Sequence, residues 1–133
     1  MEQPSPARLY ATVAGALLTI LGIIGFFYSG SFGSPGEVGE ALGAFDVNGW
    51  QNAVHLVTGL VGLVAVGYAA RACALGLGAV YLALALWGFV IGGGESILGV
   101  IPANAADNVF HLLLGLAGLG AGLATPARPK APA

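Results

Sequence analysis

The stretch LGAFDVNGWQNAVHLVTGLVGL at residues 42–63 recurs as LGVIPANAADNVFHLLLGLAGL at residues 98–119, without a gap and at a constant offset of 56 positions. The alignment places His55 on His111, and these are the only two histidines of the chain. The identical pairs are Leu42/Leu98, Gly43/Gly99, Asn48/Asn104, Asn52/Asn108, His55/His111, Leu56/Leu112, Gly59/Gly115, Leu60/Leu116, Gly62/Gly118 and Leu63/Leu119. The sequence therefore contains an internal duplication, and we expect its function to involve the histidine pair.

A second set of matches, at an offset of 63 positions, extends the duplication toward the N-terminus. Its pairs are Arg8/Arg71, Gly15/Gly78, Ala16/Ala79, Gly25/Gly88 and Phe26/Phe89. The offsets of 63 and 56 differ because the first copy carries seven more residues in its central connection. Together they predict one repeat over about residues 8–70 and a second over about residues 71–124.

The composition is typical of a membrane protein. Hydrophobic residues make up 57% and charged residues 8% of the chain, and the mean hydropathy is +0.89, whereas soluble domains carry about 25% charged residues. Four stretches, at residues 9–28, 51–70, 72–91 and 106–124, match the roughly 20 apolar residues that a helix needs to cross a bilayer. The sequence predicts an all-α integral membrane four-helix bundle over residues 9–124, built from two parallel repeats of a transmembrane helix hairpin.

The basic residues predict how this bundle is oriented. Arg8 precedes the first stretch, Arg71 lies between the second and third, and Arg128 and Lys130 follow the fourth. Because Lys and Arg in short loops are retained in the cytoplasm, both termini are predicted to be cytoplasmic, with disordered Pro-rich tails at residues 1–8 and 125–133. A cleaved signal peptide is the alternative for the first stretch, although its apolar run exceeds the roughly 7–15 residues of a signal-peptide core.

The longer external connection, residues 29–47, is rich in Gly and Ser and has Pro35 near its middle. This composition predicts turns, or a short interfacial helix around residues 37–44.

Each copy carries a helix start of the same kind. Asn48 is followed three positions later by Gln51, and Asn104 by Asp107. This spacing is typical of an N-cap residue whose reciprocal partner reaches back to it from the first turn. A cap is needed there because the bilayer offers no acceptors to the first N–H groups of a helix.

From these caps, polar residues and then glycines follow at helical spacing on one face of the second and fourth helices. The face of the second helix consists of Asn52, His55, Gly59 and Gly62, and that of the fourth consists of Asn108, His111, Gly115 and Gly118. Glycine lets another helix approach closely, and polar side chains at membrane depth point inward to find partners. The two faces are therefore predicted to be helix contact surfaces.

The histidines admit three interpretations. In the first, each imidazole bonds the Asn one turn earlier and a group on a neighbouring helix, with Thr19, Tyr28, Thr58 and Tyr81 as candidate partners. In the second, His55 and His111 face each other and hold a haem, a pigment or a metal ion, although neither copy adds a further metal ligand that the other matches. In the third, they form part of a proton or small-solute path.

Other functional classes find no support. Four cations in the chain make no electrostatic footprint for nucleic acid, and the glycine run at residues 92–94 lacks the lysine and the strand-to-helix context of a phosphate-binding loop. We therefore predict no catalytic residue, no nucleic-acid partner and no resident metal or cofactor.

The string Phe45-Asp46-Val47-Asn48 with Asn52-Ala53-Val54-His55, and its counterpart from Asn104 to His111, resembles a family of short bacterial, largely actinobacterial, four-helix membrane proteins catalogued only as a domain of unknown function. The resemblance implies a bacterial plasma-membrane protein and supplies no activity. Where such proteins often carry His-Asn, this chain has Gln51-Asn52, which weakens any ligand scheme that needs a third histidine.

Taken together, the sequence predicts a small polytopic membrane protein with a non-enzymatic structural or accessory role. Its expected partners are the lipid bilayer and either another membrane protein or a second copy of itself. A protein that binds a cofactor, pigment or metal through His55 and His111 is the alternative, and a small-solute or proton transporter is the third option.

Overall fold

A computed structural model describes residues 3–33, 37–128 and 132 of the chain, and these residues are mostly helical. The four helices are α1 Pro6–Gly25, α2 Gly49–Ala65, α3 Ala70–Ile91 and α4 Ala105–Ala124. Helices α1, α3 and α4 are long and apolar enough to cross a membrane, with mean hydropathies of 1.8, 2.1 and 1.3 over their most apolar segments. Helix α2 has 17 residues.

The helix boundaries differ from the predicted stretches in two places. Helix α1 begins at Pro6, so residues 6–8 are helical and not part of a disordered tail. Ser5 caps this helix by accepting a hydrogen bond from the Arg8 N–H, and proline suits the first helical position because its φ is already helical. Helix α2 ends at Ala65, five residues before the predicted end of its stretch at residue 70. The remaining parts of the predicted tails, residues 1, 2, 129–131 and 133, lie outside the described residues.

The prediction of a mostly helical chain with four helices is confirmed, but the α1–α2 and α3–α4 connections each contain a small antiparallel hairpin that was not predicted. Strand β1, Gly39–Ala41, pairs with β2, Phe45–Val47, and strand β3, Ser96–Ile97, pairs with β4, Ile101–Pro102. Of the two alternatives for this connection, the interfacial helix at residues 37–44 is wrong, and residues 42–44 form a turn.

The reason lies in the turns. Leu42 and Gly43 have φ of 54° and 70°, and Leu98 and Gly99 have φ of 53° and 72°. This left-handed backbone interrupts a right-handed helix and reverses the chain, and glycine adopts it without steric cost. The identical Leu-Gly pairs of the two copies mark these two turns.

The helices pack as two close pairs, α1 with α2 and α3 with α4. A Cβ added to Gly15 would lie 2.9 Å from the Leu63 backbone nitrogen, and one added to Gly78 would lie 2.6 Å from the Leu119 nitrogen. These glycines are equivalent at the offset of 63, and the leucines are equivalent at the offset of 56. Both pairs thus approach through glycines at matching positions.

The glycine faces predicted for α2 and α4 lie in these same contacts. A Cβ on Gly59 would lie 2.5 Å from the Thr19 nitrogen, and a Cβ on Gly115 would lie 2.6 Å from the Leu82 nitrogen. At Gly62 the nearest atom is the Gly15 Cα at 3.1 Å, and at Gly118 it is the Ala74 carbonyl oxygen at 2.7 Å. The core between the two pairs is formed by alanines, leucines and tyrosines, namely Ala7, Tyr10, Ala11, Ala14, Leu18, Ala70, Ala74, Leu77, Tyr81 and Leu114.

We expect Gly59→Ala and Gly115→Ala each to lower the free energy of unfolding by about 1–3 kcal/mol, because the added methyl forces two backbones apart. Gly120→Ala is the matched control: its added Cβ meets no atom within 4 Å, and alanine has the higher helix propensity. Unfolding in detergent micelles measures all three variants. Equal stability of Gly115→Ala and Gly120→Ala would contradict the close approach of α3 and α4.

Candidate functional site

The two cap asparagines connect the copies to each other. Asn48 accepts a hydrogen bond from the Gln51 N–H at 2.9 Å, and Asn104 accepts one from the Asp107 N–H at 2.8 Å, as N-caps do. The amide group of each side chain donates across the molecule. Asn48 Nδ2 donates to the Val100 carbonyl at 2.6 Å and Asn104 Nδ2 donates to the Ala44 carbonyl at 2.8 Å. Each cap therefore joins its own helix to the hairpin turn that precedes the other.

Gln51 and Asp107, the predicted reciprocal capping partners, bond each other instead. Gln51 Nε2 donates to Asp107 Oδ1 at 2.9 Å and to the Asp46 carbonyl at 3.0 Å. The second carboxylate oxygen, Asp107 Oδ2, accepts from the Asp46 N–H at 3.1 Å. Both side chains are only 1% exposed. The prediction that they reach back to their own caps is wrong, because each side chain bonds the equivalent residue of the other helix.

One turn deeper, His55 and His111 also meet. Their Nε2 atoms are 3.2 Å apart, and the residues are 4% and 2% exposed. An imidazole nitrogen donates in one tautomer and accepts in the other, so two equal rings form one hydrogen bond when one Nε2 is protonated and the other is not. The rings of Tyr81 and Phe110 pack around them, with centroid distances between 5.3 and 6.3 Å.

The expected bonds from each histidine to its own asparagine are not formed. Asn52 Nδ2 donates to the Ser29 carbonyl at 2.7 Å. Of the other candidate partners, Thr58 and Tyr81 share a hydrogen bond of 2.6 Å between their hydroxyls, and the Thr19 hydroxyl donates to the Gly15 carbonyl at 2.7 Å. The structure brings the histidines to each other, whereas the Thr58–Tyr81 bond joins α2 to α3 and the Thr19 hydroxyl bonds within its own helix α1.

Asn52 and Asn108 occupy matching positions against glycines. Their Oδ1 atoms are buried without a hydrogen-bond partner, and each lies where a Cβ of Gly25 or Gly88 would stand. Contact with a glycine Cα–H is a weak hydrogen bond that only a residue without a side chain permits. This contact explains why glycine recurs at positions 25 and 88.

Two tyrosines form hydrogen bonds between the α1–α2 pair and the α3–α4 pair, and the sequence analysis did not predict these bonds. Tyr10 Oη on α1 donates to the Leu114 carbonyl on α4 at 2.9 Å, and Tyr81 on α3 bonds Thr58 on α2. The sequence does contain an indication of these bonds. Each tyrosine lies in an apolar helix, where a buried phenolic hydroxyl needs a hydrogen-bond partner.

The close packing around the two histidines determines whether a cofactor fits beside them. The cavity beside His55, lined by Leu21, Ile24, Phe45 and Phe110 among others, measures about 10 Å³, which is near the lower limit for one water molecule. A haem or pigment does not fit between rings whose nitrogens are 3.2 Å apart. In the described part of the chain no group of three or more His, Cys, Asp or Glu residues is placed to hold a metal ion.

A family model matches residues 8–124, which is most of the chain, and its description is a domain of unknown function, DUF4383. The chain therefore belongs to this family. The resemblance to a family catalogued only as a domain of unknown function is confirmed. Comparison with curated proteins and with solved structures found no match.

Gln51→Glu removes the amide donor and sets a second carboxyl group against Asp107. We expect this variant to lower the free energy of unfolding by about 2 kcal/mol, because a buried acceptor loses its donor and gains a like-charged neighbour. Adding Asp107→Asn restores one donor and one acceptor, and we expect it to recover part of the loss. A double-mutant cycle measured by unfolding in detergent gives the coupling energy. Additive effects of the two substitutions would contradict the Gln51–Asp107 contact.

Proposed function

We propose that this chain is an integral membrane protein of four spans, built from two parallel repeats of a helix hairpin, with both termini in the cytoplasm of a bacterial cell. We propose further that it acts without catalysis, as an accessory subunit that associates with another membrane protein or with a second copy of itself.

The membrane placement is supported by the outer surface of the four helices. Ile23 on α1, Val64 on α2, Val90 on α3 and Leu123 on α4 are 49, 64, 85 and 73% exposed. Large apolar side chains exposed on every helix favour lipid over water as the solvent. Helix α2, at 17 residues, is at the lower end of the range for a span, and its length of roughly 26 Å is close to the apolar thickness of a bilayer.

The repeat is supported by matching contacts. Gln51 meets Asp107, His55 meets His111, and the cap amides exchange bonds with equivalent carbonyls. Residues that lie near a two-fold axis meet their own counterparts. A parallel repeat, in which both copies enter the bilayer from one side, has such an axis along the membrane normal.

The accessory role is carried by one observation: the polar residues of α2 and α4 are engaged in holding the four helices together. The caps, the Gln51–Asp107 contact and the histidine pair all join the two copies, and the last two of these contacts are buried. The surface left to a partner is apolar, and helices in lipid associate through packing of such surfaces.

Four spans with a cytoplasmic N-terminus place the α2–α3 turn in the cytoplasm and the α3–α4 connection outside. In a Cys73→Ala background, we expect a membrane-impermeant maleimide to label Gly93→Cys in intact cells and to spare Gly67→Cys until the cells are permeabilised. Both sites have space, because an added Cβ meets nothing within 4 Å. If α2 did not cross, the two labels would exchange.

The alternative, metal binding by the two histidines, is favoured by the convergence of their Nε2 atoms at 3.2 Å. His→Phe substitutions separate it from the accessory role because phenylalanine keeps the ring and removes the nitrogens. We expect each single variant to cost about 1–3 kcal/mol of unfolding free energy, since one imidazole is left unpaired, and the double variant to cost less than the sum.

Elemental analysis and a visible absorption spectrum of the protein in mild detergent complete this test. We expect neither to differ between the wild type and the folded double variant His55→Phe/His111→Phe. A stoichiometric metal or an absorption band that disappears in that variant would replace the accessory role with a ligand-binding one.

A further inference from the structure

Three arginines converge at the end of the molecule opposite to the hairpins. Arg8, Arg71 and Arg128 all line one pocket of about 450 Å³, together with residues of the α2–α3 turn and of the segment after α4. Arg71 is held in place because its Nε donates to the Thr125 carbonyl at 2.9 Å. Among residues 3–33 and 37–128, the acidic side chains lie at the other end, in or next to the external connections. The pocket therefore presents concentrated positive charge with no described acid to neutralise it.

Retention of basic residues in the cytoplasm accounts for the side on which these arginines lie, but it does not require them to share a pocket. The backbone adds to the same charge. Helix α3 begins at this pocket, and its N-cap residue, Ala69, provides no side-chain acceptor for the first N–H groups. The guanidinium groups of arginine and the N-terminus of a helix both favour binding of an oxyanion such as a phosphate.

An apolar groove leads into this end of the molecule. It lies between α1 and α4, measures about 610 Å³ and is lined by Leu9, Val13 and Leu17 on one side and by Leu113, Ala117 and Ala121 on the other. From Pro6 to Leu17 it rises by roughly 16 Å, which is about half of a hydrocarbon core of roughly 30 Å, or one leaflet.

The groove and the pocket are adjacent. Pro6, at the end of the groove, follows Ser5 in the pocket, and Thr125 in the pocket donates its hydroxyl to the carbonyl of Ala121 in the groove at 2.8 Å. A phosphate next to an acyl chain is the chemistry of a phospholipid. We propose that this face binds one anionic phospholipid of the cytoplasmic leaflet, with its phosphate among the three arginines and an acyl chain between α1 and α4. The choice of leaflet rests on the membrane placement proposed above.

Native mass spectrometry of the detergent-purified protein tests the headgroup, with phosphatidylglycerol compared with phosphatidylcholine of the same acyl chains. We expect a preference for phosphatidylglycerol that falls roughly fivefold for each Arg→Gln substitution at positions 8, 71 and 128. Equal binding of both lipids, or an unchanged preference in the triple variant, would overturn the arginine site.

Two variants test the groove. We expect Ala117→Phe, which fills it, to reduce phosphatidylglycerol binding at least fivefold, and Val61→Phe, at the equivalent position of α2, to leave binding unchanged. Equal losses in both variants would overturn the assignment to the α1–α4 groove. The unfolding transition of each variant in detergent identifies any that is misfolded, and the arginine variants then decide the proposal alone.

Inorganic phosphate separates a lipid from a free anion. We expect millimolar phosphate to leave bound phosphatidylglycerol in place, since the acyl chain contributes to binding. Displacement by phosphate would show a free-anion site and overturn the lipid assignment. Labelling of Gly67→Cys and Gly93→Cys tests the membrane placement independently, so four confirmed spans without a lipid preference would contradict only this inference.

Discussion

The contact on which the rest of the arrangement depends is the one between equal positions of α2 and α4. His55 and His111, with Gln51 and Asp107 one turn above, are buried polar side chains on helices whose other surfaces are apolar. Buried polar groups without partners destabilise a fold, and more so where no water can replace the partner. Meeting across the centre gives the Asp107 carboxylate, the Gln51 amide donor and the two imidazoles hydrogen-bond partners, and it joins α2 to α4 across the bundle. Helices α1 and α3 then pack on them through glycine.

This constraint limits which residues can occupy the central positions. Two histidines can pair because the ring donates from one nitrogen and accepts at the other, so identical residues serve both copies. Two aspartates at the next position would set two acceptors against each other, whereas a glutamine opposite an aspartate supplies the donor. The presence of a carboxylate in only one copy, which counted in the sequence against a metal site, has a physical reason in this contact.

Local sequence rules predicted which residues form the site, but they did not predict which residues these bond. The caps Asn48 and Asn104, the inward faces of α2 and α4 and the approach of glycines follow from spacing alone. The bonding of Gln51 and His55 could not be deduced in that way, because a reciprocal cap and a bond to Asn52 are both sound local choices. Both are replaced by contacts between α2 and α4, and these contacts form only when the two helices have packed together. The hairpins were missed for a different reason: Leu42 adopts a backbone conformation that leucine seldom takes, and only the recurrence of Leu-Gly marked it.

The two copies also differ at positions whose side chains bond different partners. Tyr10 corresponds to Cys73 and Tyr81 to Leu18 at the offset of 63, and the two tyrosines bond different partners, on α4 and α2 respectively. Neither tyrosine hydroxyl bonds its own counterpart, so a change at one of these positions leaves the central pairs intact. The arginine pocket shows the same difference: Arg8 and Arg71 match at the offset of 63, but Arg128 corresponds to Ala72 at the offset of 56. The arginine end therefore differs between the two halves of the chain, while the histidine pair joins α2 to α4 near the other end.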